Sequence, residues 1–129
     1  AILTVDLGAV VRNWRALGAR HAAGAVAGVV KADAYGLGAA PVARALREAG
    51  CRHFFVAHPG EGLALRQALG AGPMIAVLDG CTPAEAAQGL TPVLNSLGDV
   101  AAHRGSGVRA LLHVDTGMAR LGLPPAEVE

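Results

Sequence analysis

Lys31 is the only lysine among the 11 Lys and Arg residues of this 129-residue chain. Every other cationic position is Arg, which holds its proton throughout the working pH range, whereas a desolvated Lys amine can lose its proton and act as a nucleophile. Lys31 ends the apolar run 26–30 and opens Lys31-Ala32-Asp33-Ala34-Tyr35-Gly36-Leu37-Gly38. A lysine in that place can form a Schiff base with an aldehyde cofactor; a lysine that merely snorkels from a strand end to water gives the same pattern. Gly36 and Gly38 allow the backbone to turn closely past a ligand, or serve only as turn formers, and Tyr35 supplies a hydroxyl donor. A second segment, His113-Val114-Asp115-Thr116-Gly117-Met118-Ala119-Arg120-Leu121-Gly122, carries an Arg suited to an anionic ring oxygen or a substrate carboxylate. The plainer reading pairs Arg120 with a surface acid and leaves Asp115 and Thr116 to cap a turn.

The elements that must position these segments read as alternating strands and helices. Residues 2–5 form a candidate strand, and Asp6 is an N-cap for a helix with Leu7, Val10, Val11, Trp14 and Leu17 on one face and Gly18 as its stop. Residues 26–30 read as a buried strand and Tyr35 to Gly38 as a loop. Pro41 opens a helix burying Val42, Ala45, Leu46 and Ala49, with Gly50 after it. A strand at 53–57, a helix at 60–69 ended by Gly70 and a strand at 74–78 follow. Thr82-Pro83-Ala84-Glu85 is a capping box. Thr91–Leu94 is a strand, 97–104 a weak helix, 108–115 a strand, and Pro124-Pro125 leads into another helix. Such alternation predicts βα units on a parallel sheet in one domain, residues 1–129. Lys31 and Arg120 then fall at the C-terminal rim of the strands, where βα barrels build active sites. Five strands cannot close a barrel, which takes about 200 residues or more. The expectation is a truncated βα (TIM-like) barrel, about five of eight strands; a self-contained doubly wound sheet is the alternative.

Composition narrows the function classes. Hydrophobic residues are 53% and charged residues 16%, which favours a packed core over disorder. Mean hydropathy is +0.42, yet no apolar run approaches the roughly 18 residues of a spanning helix. The stretch 22–30 is too short, and the N-terminus carries no secretory pattern. A net charge of +1 and 3% aromatics disfavour nucleic-acid binding. Cys51 and Cys81 read as reduced thiols of a cytoplasmic protein. Cys51-Arg52-His53 lacks the second pair a zinc site needs, so no metal is expected.

Val-Val-Lys-Ala-Asp-Ala-Tyr-Gly-x-Gly at residues 29–38 and Asp-Thr-Gly-Met-x-Arg-Leu-Gly at 115–122 resemble the two N-terminal signatures of alanine racemases. The resemblance extends to Thr4-Val5-Asp6-Leu7, Asn13, Phe55-Val56-Ala57, Glu61 and Leu65-Arg66, and so covers nearly the whole chain. It implies a barrel that binds pyridoxal 5'-phosphate (PLP), followed by a mostly β domain absent here. Lys31 would hold PLP as an aldimine and act as acid and base on one face of the amino-acid substrate's α-carbon. Tyr35 would donate to the cofactor phosphate, and Arg120 to its phenolic oxygen and the substrate carboxylate, which the Met118 backbone would also face. The second base would be a tyrosine of the partner subunit in a homodimer, so this stretch alone would not racemise alanine. D-Alanine for peptidoglycan is the implied product, with serine or broader racemases as alternatives, along with a PLP-binding homologue lacking racemase activity. Three positions depart from the pattern: Leu37 stands where His is common, Ala119 where Asn is frequent, and His113 where many members carry a carbamylated lysine that steadies the Arg. The positioning of Arg120 is thereby left open. His21, His53, His58 and His103 match no catalytic position.

Overall fold

Five parallel strands pair in sequence order, β1-β2-β3-β4-β5, in the computed structural model of the chain. It describes residues 1–21 and 23–128. Ala22, at the head of the stretch 22–30, and Glu129, the last residue of the expected domain, lie outside the described residues. The strands are β1 (Gly28–Val29), β2 (His53–Val56), β3 (Met74–Val77), β4 (Thr91–Leu94) and β5 (Leu111–Leu112). A doubly wound sheet reverses its strand order at a switch point. This order never reverses, so that alternative falls and the partial barrel stands.

The helices are α1 (Leu7–Arg20), a short helical element α2 (Lys31–Tyr35), α3 (Ala39–Glu48), α4 (Pro59–Leu69), α5 (Pro83–Ala86) and α6 (Leu97–His103), with a 3-10 turn at Pro125–Glu127. Local chemistry starts most of them where expected. Asp6 accepts from the Ala9 N–H, Thr82 and Glu85 complete a capping box, and Ser96 accepts from the Asp99 N–H. Gly18 does not stop α1, which continues to Arg20: one glycine costs a helix only about 1 kcal/mol. No strand forms at residues 2–5. Ile2 and Leu3 are exposed, and no strand lies beside them among the described residues to complete a ladder. The expected strand 108–115 pairs only at Leu111–Leu112, and the helix after Pro124 is the short 3-10 turn.

Register explains where the core sits. Gly28, Phe54 and Ile75 stand side by side on the face toward the helices, where Phe54 and Ile75 are fully buried. A Cβ on Gly28 would come within 3.0 Å of Leu46 and 3.2 Å of Phe54, so only glycine lets α3 approach β1 this closely. Leu46, Leu65 and Leu69 complete this layer, each contributing about 1.5–3 kcal/mol by burial. The opposite face carries the row Val29, Phe55, Ala76 and Thr91. Along it burial grows from the edge inward: Val29 is 49% exposed, whereas Ala76 is fully buried. Trp14 ties α1 to the sheet by donating from Nε1 to the Val26 carbonyl at 3.0 Å.

Candidate active site

Lys31 stands one residue past β1, after Val30, at the C-terminal end of the sheet, and begins α2. Its neighbours are wound the wrong way for L-residues. Ala32, Asp33, Ala34 and Tyr35 all have φ between 52° and 56°, a single left-handed turn. Such a conformation costs roughly 1–2 kcal/mol per residue, so neighbouring bonds must hold it. Ala34 is buried in the core and its N–H donates to the Val30 carbonyl. The N–H groups of Gly36 and Gly38 donate to the Asp33 carbonyl, and the Asp33 carboxylate accepts from the Ala39 N–H at 2.7 Å. Gly36 and Gly38 themselves have φ of 84° and 92°, so both are required by the backbone's path.

Glu61, in the first turn of α4, supplies the remaining hold. Its Oε1 accepts from the Ala32 N–H at 2.8 Å, and its Oε2 from the Ala57 N–H at 2.8 Å and the His58 N–H at 3.4 Å. Partial burial pushes this carboxyl upward, but the N–H donors of Ala57, Ala32 and His58 outweigh it and hold the group below the ordinary glutamate value. Hydrogen bonds to a charged acceptor contribute about 1.5–3 kcal/mol each, a scale comparable with the strain of the turn.

The other strand exits are joined in the same way. His58 Nδ1 lies 3.0 Å from the Asp79 carboxylate, linking the ends of β2 and β3. Asn95 donates from Nδ2 to the Leu78 carbonyl at 2.9 Å, linking β4 to β3, and its Oδ1 lies 2.7 Å from His113 Nδ1 beyond β5. Side chains thus stitch every adjacent pair of strand exits from β1 to β5. His58 and His113 both enter this stitching, and only spatial neighbours far along the chain reveal it.

Beyond β5 the backbone leaves the sheet and returns. The Asp115 N–H donates to the Leu123 carbonyl and the Leu123 N–H to the His113 carbonyl, closing a loop that contains Arg120. Inside it, Asp115 Oδ1 accepts from Gly117 at 2.9 Å and Ala119 at 3.0 Å. The N–H groups of Ala119 and Gly117 hold the Asp115 carboxyl below its usual range. Asp115 therefore does cap a turn, while no acid pairs with Arg120 among the described residues.

The sequence-derived residues are thus gathered in two groups. Lys31 and Tyr35 share one turn; Met118 and Arg120 share one loop. Both groups lie at the C-terminal rim, but at opposite edges of the sheet, four strand spacings or roughly 19 Å apart along it. The side chains of Tyr35, Met118 and Arg120 are exposed, and Lys31 is partly buried. No hydrogen bond or ion pair consumes the Lys31 amine, the Tyr35 hydroxyl or the Arg120 guanidinium among the described residues. Lys31 and Tyr35 offer an amine and a hydroxyl on one turn, which suits a cofactor with an aldehyde and anionic oxygens; Arg120 would meet the same group only across the mouth of a barrel curved between β1 and β5. A cavity of about 760 Å³ lies at the other end of the strands, lined by Arg44, Arg47 and Arg52. Arg44 and Arg47 donate there to the last carbonyls of α4, a helix-capping duty away from this chemistry.

Comparison with known proteins bears on the fold and the family. Residues 5–129 match the family model for the alanine racemase N-terminal domain. The alanine racemase of Acidiphilium cryptum is 56% identical over 94% of this chain and 36% of its own length. The catabolic alanine racemase of Agrobacterium fabrum is 51% identical over 98% of this chain and 35% of its own. The crystal structure of Bartonella henselae alanine racemase with covalently bound pyridoxal phosphate superposes with a TM-score of 0.86 and 40% identity, over 96% of this chain and 37% of that one. A histidine racemase from Leuconostoc mesenteroides superposes with a TM-score of 0.79 at 27% identity, over 94% of this chain and 35% of that one. The chain spans about a third of the length of these relatives. Its sheet order, its rim and its sequence together place it in the alanine racemase N-terminal domain family.

Proposed function

We propose that this chain is the N-terminal part, residues 1–129, of the PLP-binding barrel of an alanine racemase that interconverts L- and D-alanine. The observation that carries the reading is Lys31: the chain's only lysine, at the end of β1, with its amine unpaired among the described residues, in a family with a covalently PLP-bound crystal structure. Lys31 binds the cofactor aldehyde and moves the α-proton on one face of the substrate. The Tyr35 hydroxyl donates to the cofactor phosphate. The Arg120 guanidinium donates to the phenolic oxygen and orients the substrate carboxylate, which the Met118 backbone also faces. When bound, PLP delocalises the electron pair left on the α-carbon.

The second base and the remaining cofactor contacts belong to parts of the enzyme outside these residues, including a C-terminal β domain and the partner subunit of a homodimer. Residues 1–129 alone then fail to racemise alanine. D-Alanine for peptidoglycan is the proposed product use, and the free thiols of Cys51 and Cys81 support a cytoplasmic setting.

The test is to supply the intact protein with L-alanine and PLP, assay D-alanine, and reduce the cofactor-loaded protein with borohydride. D-Alanine formation with label on Lys31 supports the reading. Label elsewhere, or none, overturns it, and label without turnover indicates a cofactor-binding homologue. A racemase of another amino acid, such as serine, is the second reading. It is favoured by the histidine racemase, which shares this part of the barrel; turnover of another amino acid in preference to alanine would establish it.

A further inference from the structure

We propose that Glu61 is a positioning residue for Lys31, its carboxylate clamping the peptide plane between Lys31 and Ala32 to the exit of β2. The inference rests on the assignment of Lys31 as the cofactor lysine and adds what holds that lysine in place. The Ala32 N–H belongs to the same rigid peptide unit as the Lys31 carbonyl. Fixing that N–H fixes ψ of Lys31, and with it the direction in which the lysine side chain leaves the backbone. Glu61 Oε1 is the acceptor for that N–H, at 2.8 Å. The other oxygen is anchored on the Ala57 and His58 N–H groups, at 2.8 and 3.4 Å. One carboxylate therefore ties the lysine-bearing turn to a neighbouring strand.

The surroundings make the clamp necessary. Ala32 is the first of four left-handed residues, so relaxation of the strain would begin at the plane Glu61 holds. Behind the turn is a cavity of about 290 Å³ lined by Val30, Asp33, Ala39, Val56, Glu61 and Leu65, among others. That space gives the turn room to shift once the carboxylate is removed. Glutamine is no substitute, because its amide has one acceptor oxygen and its NH2 would face a backbone N–H. Aspartate is shorter by one methylene and cannot span both exits.

The test uses the full-length protein and its Glu61→Ala and Glu61→Gln variants, the second keeping the side-chain volume should the first fail to fold. Three quantities are measured: amide hydrogen exchange without cofactor, the rate at which PLP and borohydride label Lys31, and the kinetic constants. A misplaced reacting group costs about 10²-fold in rate. The expected result is faster exchange at Ala32 and Ala57 with β3 unchanged, slower labelling of Lys31, and kcat lowered about 10²-fold with KM little altered. Unchanged Ala32 exchange, or unchanged labelling and kcat in either folded variant, overturns the clamp. Wild-type label at a position other than Lys31 would instead sink the assignment on which it rests, a distinguishable failure.

Discussion

Asn95 and His113 are joined at 2.7 Å, and the bond fixes which ring nitrogen of His113 carries a proton. Asn95 spends its Nδ2 on the carbonyls of Leu78 and Val93, at 2.9 and 3.2 Å, so its Oδ1 faces the ring as an acceptor. Nδ1 of His113 therefore donates, and Nε2 carries the lone pair in the neutral ring. Nitrogen NMR of the labelled histidine is expected to show the Nδ1–H form, which Asn95→Ala abolishes. The same substitution removes two hydrogen bonds to carbonyls and is expected to cost about 1–3 kcal/mol in urea unfolding. An Nε2–H form in the unsubstituted protein would contradict the assignment.

Gly122 returns the Arg120 loop to the sheet. It has φ of 102°, and a Cβ there would lie 3.0 Å from the Asp115 nitrogen and 3.1 Å from the His113 ring. Gly122→Ala is expected to destabilise the fold by about 1–3 kcal/mol. Gly50, with φ of 111° and nothing near its Cβ position, provides the comparison. Gly50→Ala carries the dihedral strain alone, so its midpoint for thermal unfolding should fall less than that of Gly122→Ala.

Asp115 makes the same loop sensitive to acid. Its folded pKa lies below the ordinary aspartate value of 3.8 because the charged form accepts N–H bonds from Ala119 and Gly117. The stabilisation is present above the unfolded value and is lost as pH falls through the lower folded one. The amide resonances of Gly117 and Ala119 should therefore move together with a midpoint below 3.8. In Asp115→Ala that transition should be missing.

As the proposed cofactor lysine, Lys31 should separate chemistry from stability. It is partly buried and enters no hydrogen bond or ion pair among the described residues. Lys31→Ala and Lys31→Arg are each expected to change unfolding free energy by no more than about 0.5 kcal/mol. Both should lower racemisation by the intact protein at least about 10²–10⁴-fold, since Arg keeps the charge but offers no nucleophilic amine. A catalytically competent Lys31→Arg would refute the role.

Much of the architecture was legible because it is local. Asp6, Thr82 with Glu85, and the Thr91–Leu94 run each announce their element within a few residues, and the structure places them there. Residues 2–5 misled because a strand is defined by its partner, and their composition says nothing of whether one is beside them. The left-handed turn after Lys31 escaped for a related reason. Ala, Asp and Tyr do not favour that conformation themselves, and bonds from Glu61, 29 positions away, help impose it. Glu61 belongs to the family pattern, but its task becomes visible only when β1 and β2 lie side by side. His58 and His113 read as unremarkable or unexplained until the stitching of the rim shows their partners.

Lysine scarcity has an experimental use. Within these 129 residues, an amine-directed reagent meets one side chain, and it stands on the rim beside the strained turn. After acylation or reductive methylation of the intact protein, side-chain label in the peptides from this stretch can fall only on Lys31, so their mass reports its accessibility directly.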